Sequence, residues 1–119
     1  MVAGTEGYNR FTELFIEGNQ ALDFDFILID AVWHHLNEIE RASAATRFST
    51  LIKQGGKCAI SLRNGPAGMV SKIYPTDSGK TIEQFGGIGF KCILHLKNQS
   101  SIYSFKKDVK WSRIVLQKT

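Results

Sequence analysis

Apolar positions run almost unbroken from Phe24 to Ile29, interrupted only by Asp25. A run of this length predicts a strand covered on both faces. It ends in Asp30, and His34 and His35 follow within five residues. Asn37 and Glu40 then stand at the spacing of a capping box, in which the Asn side chain accepts from the third backbone N–H of a helix. Ile39, Ala42, Ala45, Phe48, Leu51 and Ile52 recur every three or four positions and predict one apolar stripe on that helix. Gly55-Gly56 is expected to supply a left-handed stop, and Cys58, Ala59, Ile60 and Leu62 a second buried strand. A strand–helix–strand unit with such tight ends should be parallel and right-handed. Polar side chains delivered at the C-terminal end of its first strand lie where open α/β sheets place a ligand crevice.

The flanks are less regular. Residues 1–10 carry no period, and two glycines loosen them further. Residues 11–17 set Leu14, Phe15 and Ile16 side by side, so periodicity alone leaves short helix and strand both open. Residues 65–80 form a long segment punctuated by glycine and proline. Thr76 or Asp77 is expected to cap a short helix through Phe85 that buries Ile82 and Phe85, with Gly86-Gly87 as its stop. Phe90, Cys92, Leu94 and Leu96 alternate with Lys91, Ile93, His95 and Lys97, the period of a half-exposed strand with His95 as an ordinary surface residue. A polar connection then leads to a last strand carrying Val109, Trp111 and residues 114–116, paired antiparallel with the one before it.

The order "FDFILIDAVWHHL…LIKQGGKCAISLRNGP" resembles the middle of a class I S-adenosylmethionine-dependent methyltransferase. In that family a strand of the type "FD-I---AV-HH-L" leads into a helix closing on "L-PGG", followed by a strand that ends near a polar residue. Phe24-Asp25, Ala31-Val32, His34-His35-Leu36 and Leu51 through Gly56 match, with Gln54 where the family usually has Pro. Phe90 to Gln117 resembles the closing antiparallel hairpin of the same fold, so the likeness spans roughly residues 13–117. It implies an α/β architecture: a partial Rossmann-like methyltransferase sheet, mostly parallel, with an antiparallel C-terminal hairpin and flanking helices. It tips residues 11–17 toward strand, and makes the 65–80 segment the loop that covers the acceptor side. It also implies that the last strand inserts beside the strand ending at Leu62.

The same resemblance assigns candidate residues. Gly18-Asn19-Gln20 stands where the family commonly has Gly-Asp-Ala, so Asn19 is either an amide on the adenine edge of the cofactor or a plain turn residue. Asp30, with Ala31 beside it, either lines the methionine end of the cofactor cleft or bonds a backbone N–H of the next loop. His34 and His35 are no metal pair, since adjacent positions point apart and no third ligand is evident. One is expected to pack at the helix entrance and the other to face the methyl acceptor. His35 is the candidate general base and His34 a substrate contact. Trp33 is read as a packing anchor. Arg63 is the sharpest candidate for substrate contact, because a guanidinium holds a carboxylate or phosphate bidentately. Its alternative is an ion pair with Asp30 or Glu83. Tyr74 either reaches a substrate or anchors the loop.

One element of the family pattern is not found. Class I methyltransferases hold the cofactor through a glycine-rich turn after the first strand, and bind the ribose through an acidic residue at the end of the second. Gly4-Thr5-Glu6-Gly7 is read as too short for that turn, without a preceding strand or a following apolar helix. The chain is therefore expected to be a fragment of a larger enzyme, a degenerate homologue, or a domain completed by homodimerisation through the open edge of the central strand. Weak or no activity is expected of the chain alone. Rival readings are a non-catalytic scaffold and a basic nucleic-acid-binding module. The second needs aromatic–basic interleaving on one strand face, and that pattern is lacking.

Composition narrows the setting. A chain of 119 residues supports one domain with one modest core. With 43% hydrophobic and 22% charged residues it is ordinary globular composition rather than disorder. The net charge of +4 reflects lysines scattered without a dense patch, which favours a solvated surface over a nucleic-acid partner. Cys58 and Cys92 sit apart in predicted strands and read as core thiols of a reducing compartment. No stretch has the length of a membrane span, and no signal core is evident. A cytoplasmic protein acting on a small-molecule methyl acceptor is the expectation.

Overall fold

Strand β2, Phe24–Ile29, runs parallel to β3, Ile52–Asn64, with Ile27, Leu28 and Ile29 level with Cys58, Ala59 and Ile60. The computed structural model describes residues 2–3, 24–65, 73–100 and 109–119. Between β2 and β3 lie a single 3-10 turn, Trp33–His35, and helix α1, Glu38–Leu51. Strand β1, Val2–Ala3, is parallel to β2, with Ala3 level with Ile29. Helix α2, Ser78–Gly86, precedes β4, Phe90–Ser100, and β5, Lys110–Lys118. The sheet order is β1-β2-β3-β5-β4, parallel across β1-β2-β3 and antiparallel across β3-β5-β4. The last strand thus inserts beside β3, as the resemblance implied.

Helix α1 begins where its sequence says it should. Asn37 Oδ1 accepts from the Glu40 N–H at 2.9 Å, and Glu40 Oε1 accepts from the Asn37 N–H at 3.0 Å, a complete capping box. Its buried stripe differs from the expected one. Ala45, Phe48 and Leu51 are buried, but Ile39 is 79% exposed and Ala42 is exposed too. The half-buried residue one turn before Ala45 is Arg41, so the stripe is rotated toward a cation whose function is described below.

The glycine pair does not stop the helix. Helix α1 ends at Leu51, Ile52 is already extended, and β3 runs straight through Gly55-Gly56. Phe24 is level with Ile52 and Phe26 with Lys57, so three extra residues of β3 bulge out at the glycines. Gly55 takes a left-handed φ of +83°. A Cβ on Gly56 would lie 2.6 Å from Ile52 Cγ2 and 2.9 Å from the Lys53 carbonyl oxygen. The open carbonyls at the helix end are met from afar: Lys118 Nζ donates to Ser49 O and, at 2.9 Å, to Ile52 O.

The core fills one face of the sheet. Ile27, Ile29, Cys58, Ile60, Leu62, Ile114 and Leu116 pack against Trp33, Phe48, Leu51 and Phe85. Each large apolar side chain buried there contributes roughly 1.5–3 kcal/mol. The other face is more open than the near-continuous apolar run of β2 predicts, for Phe26 is 44% exposed.

Helix α2 is capped by Asp77, whose Oδ1 accepts from the Lys80 N–H at 2.9 Å. Gly87 follows it in a right-handed conformation, and the left-handed residue is Gly89, φ +93°. In β4 the expected alternation fails after Cys92. Cys92 is level with Leu116 but Leu94 with Val115, so a bulge at Ile93 moves His95 to the core face and Leu94 and Leu96 to the other. His95 nevertheless stays exposed, as expected of a surface residue, and its Nε2 lies 2.8 Å from Ser78 Oγ at the start of α2.

Candidate active site at the C-terminal ends of β2 and β3

The parallel strands β2 and β3 end at the same edge, and the candidate residues gather there. Asp30 and Ala31 leave β2, and Ala31 adopts φ +57°, a conformation a residue with a Cβ adopts only where its neighbours impose it. Ser61 in β3 is the neighbour. Its hydroxyl accepts from the Ala31 N–H at 2.9 Å and donates to Asp30 Oδ1 at 2.8 Å. Asp30 thus braces the loop through a serine rather than by bonding the backbone itself. Its carboxylate remains exposed at the strand end.

The 3-10 turn sends its side chains into separate settings. Trp33 is buried, tilted against Phe85 at a ring-centroid distance of 5.8 Å, which bears out its reading as an anchor. His34 is buried and His35 half-buried, their rings 4.2 Å apart. His34 also meets Trp111 of β5 edge-on at 6.1 Å, and Trp111 is level with Arg63. Burial, and then the positive charges of His35, Arg63 and Arg41, lower the His34 pKa to about 4. At neutral pH it is a neutral imidazole in a positive surrounding. Its Nδ1 is buried and has no hydrogen-bond partner among the described residues.

Two straps hold the opposite wall. The Arg41 guanidinium donates to the carbonyls of Trp33 (3.1 Å), Pro75 (2.9 Å) and Tyr74 (3.3 Å), and the Tyr74 N–H donates to His34 O at 2.8 Å. Thr76 donates through its N–H and its hydroxyl to Asn64 Oδ1, at 3.1 and 3.0 Å. The segment entering α2 is therefore fastened to both the 3-10 turn and the end of β3. Beyond the Arg41 strap an open groove of about 980 Å³ runs between the starts of α1 and α2. Tyr74 and Arg41 line it, whereas His35, Arg63 and Asp30 do not.

The structure thus brings His34, His35, Arg63 and the Tyr74 segment together and sets Asp30 and Ala31 on the Ser61 side of the same edge. Asn19 and residues 11–17 lie outside the described residues, as does the part of the acceptor-side loop over 66–72. Arg41, Ser61 and Trp111 were not assigned to the site from the sequence. Arg41 occupies a stripe position an apolar residue would take, Ser61 interrupts an apolar strand, and Trp111 becomes relevant only through its register with Arg63. No group of three or more metal-ligating side chains occurs among the described residues. Nor is any described helix long and apolar enough to cross a membrane.

No family model and no curated protein matches the sequence. Solved structures do. The chain superposes on a 1,6-didemethyltoxoflavin-N1-methyltransferase of Burkholderia thailandensis, crystallised with 1,6-didemethyltoxoflavin and S-adenosylhomocysteine, with a TM-score of 0.68 and 18% identity. The match covers 88% of this chain and 48% of that one. The fold is that of the class I methyltransferases. A magnesium protoporphyrin IX methyltransferase of Synechocystis PCC 6803 with bound S-adenosylmethionine gives a TM-score of 0.62 at 12% identity, covering 85% of this chain and 42% of that one. A TehB-like S-adenosylmethionine-dependent methyltransferase of Corynebacterium glutamicum gives 0.60 at 19%, covering 89% and 53%. The chain spans about half the length of these methyltransferases.

The methyltransferase fold corrects one reading of the sequence. Gly4-Thr5-Glu6-Gly7 does follow a strand, since Val2–Ala3 joins the sheet parallel to β2 and ends at the same edge as Ile29. Two residues are too few to carry a period, so that strand was not legible. The four-residue stretch itself lies outside the described residues.

Proposed function

We propose that the chain carries the acceptor-side part of an S-adenosylmethionine-dependent methyltransferase acting on a small molecule. The observation that carries this reading is the gathering of His34, His35 and Arg63 at the shared C-terminal edge of two parallel strands, on a sheet that superposes on such enzymes. The exposed Asp30 carboxylate, braced by Ser61, fits the cationic amino end of that cofactor, and the left-handed Ala31 keeps the backbone of the strand end open beside it. Asn19 is the candidate for the adenine edge. When bound, S-adenosylmethionine supplies an electrophilic methyl group, so this chain's own residues need only align the acceptor, exclude water and manage a proton. Arg63 binds an anionic group of the acceptor. His35, the more accessible imidazole, takes the proton the acceptor loses, while neutral His34 offers a hydrogen bond without competing for charge. Tyr74, held by the Arg41 strap, closes that side.

Calorimetric titration of the 119-residue chain with S-adenosylhomocysteine and S-adenosylmethionine tests the reading, with oligomeric state measured on the same sample. Saturable binding that weakens in Asp30→Asn, with Arg63→Ala leaving it intact, is the expected result. Absence of heat at millimolar ligand from a monomer would favour the second reading, a methyltransferase-like scaffold without catalysis. Binding confined to a dimer would place completion of the crevice in a second copy.

A further inference from the structure

The His34 imidazole is incompletely satisfied by its surroundings. Its side chain is 4% exposed, and its Nδ1 is buried with no hydrogen-bond partner among the described residues. Buried ring nitrogens ordinarily have one, because an unpaired polar atom away from water is costly. The charges that act on this ring have a single sign. His35 on its own turn, Arg63 on β3 and Arg41 on α1 all bear on it as cations. From β5 it meets the uncharged Trp111, and from the segment before α2 the backbone of Tyr74, whose N–H donates to His34 O. Asp30, the carboxylate of the same edge, is engaged by Ser61 and is not among the groups that act on His34. Glu38 acts on Arg41 instead.

A buried ring nitrogen without a partner, set among cations, has the chemistry of an oxyanion site. We infer that His34 and Arg63 together take the oxyanion of a small molecule, and that His34 gains a proton from solvent as the oxyanion binds. The imidazole N–H donates to one oxygen and the guanidinium to another. Proton uptake follows from reciprocity. The anion offsets the cations that disfavour an imidazolium, so an imidazolium in turn favours the anion. In the free chain, burial and the three cations hold the His34 pKa at about 4, and a bound anion moves it back toward the ordinary 6.5. Acidification therefore tightens binding between those two values. The inference rests on the methyl-transfer reading only for the use of the site, where it makes the affinity for an anionic acceptor depend on pH. The binding itself needs no cofactor.

The test is an NMR titration of the histidine ring protons of the 119-residue chain, with benzoate, benzenesulfonate and uncharged benzamide as probes. The chain has 3 histidines, and the His34 signals are those lost in His34→Gln. At least one of the two anions is expected to bind and benzamide is not. His34 should titrate near 4 in the free chain and near 6.5 with the anion. Anion affinity is then about tenfold higher at pH 5.5 than at pH 7.5, as linkage to a shift of that size requires. His34→Gln should bind the anion without that pH dependence, and Arg63→Ala should weaken binding at both pH values. Should either variant fail to fold, the wild-type titration decides by itself. Anion binding that leaves the His34 titration unmoved, equal binding of benzamide, or no anion binding by the folded wild-type chain would overturn the inference. Anion binding without any binding of S-adenosylhomocysteine would remove the methyl-transfer reading alone, and the converse would remove this inference alone.

Discussion

His34 shows how a single residue can be placed by its neighbours rather than by its type. Burial among His35, Arg63 and Arg41 lowers its pKa to about 4, below the ordinary value of 6.5. Because the folded pKa is depressed, the unfolded chain binds the proton more readily, and the associated stability is present above pH 6.5 and lost as pH falls toward 4. The full loss is about 3 kcal/mol, from the linkage between pKa shift and free energy. Urea midpoints measured from pH 7 to pH 4 should therefore fall, and His34→Gln should flatten the decline between those limits. A decline of equal steepness in the variant would assign the acid sensitivity to other groups. Ala31 is the companion case on the other side of the edge. Its left-handed backbone is imposed by the Ser61 hydroxyl bridging it to Asp30, an arrangement that no local pattern encodes.

Among the elements, the turn from α1 into β3 departs furthest from the pattern that predicts it. A helix followed within a few residues by Gly-Gly ordinarily ends in a left-handed cap. Here the helix ends three residues before the pair, Lys118 supplies donors to its last carbonyls, and the glycines make room for a bulge beside β2. A side chain at Gly56 would press on Ile52 and on the backbone carbonyls of Lys53 and Asp25. Gly56→Ala is therefore expected to destabilise by about 1–3 kcal/mol in denaturant titrations, the range for overpacking a filled site. At Gly55 the same substitution meets no neighbour but must hold φ +83°, so it acts through backbone strain alone. The bulge at Ile93 is a second departure, and it carries His95 to Ser78 while turning Leu94 and Leu96 outward. Periodicity identified the core of both strands and could not detect either interruption, because the extra residues, three at the glycines and one at Ile93, leave no mark on local composition.

For the whole molecule, the decisive fact is that one core joins every described layer. Cys58 lies at its centre, fully buried, and burial pushes its thiol far above the ordinary range. A thiol of this kind reacts only when the domain opens. Iodoacetamide at pH 8 should leave Cys58 unmodified in the native chain, read by peptide mass spectrometry, and modify it at the rate set by global unfolding as urea is raised. Half-buried Cys92 in β4 serves as the internal comparison. Fast labelling of Cys58 without denaturant would show that the β2-β3-β5 layer opens independently of the rest.

The sequence by itself determined the elements and their kind: the apolar run of β2, the capping box of α1, the period-two start of β4 and the parallel β2–α1–β3 unit. These are local signals, set by hydrogen bonding and burial within a few residues, and a chain pattern records them directly. It also marked His34, His35 and Arg63 as polar side chains near the ends of buried strands, and the family resemblance added Tyr74 in the loop beyond them. Tertiary structure alone decided which stripe position of α1 points inward, why Gly55-Gly56 is a bulge, that Val2–Ala3 is a strand, and which face Leu94 and Leu96 occupy. It alone brought Ser61 to Ala31 and Arg41 to Tyr74, pairs separated by 30 or more positions. Contacts at such separations depend on strand register and helix rotation, and both are fixed by packing the whole core rather than by any single segment.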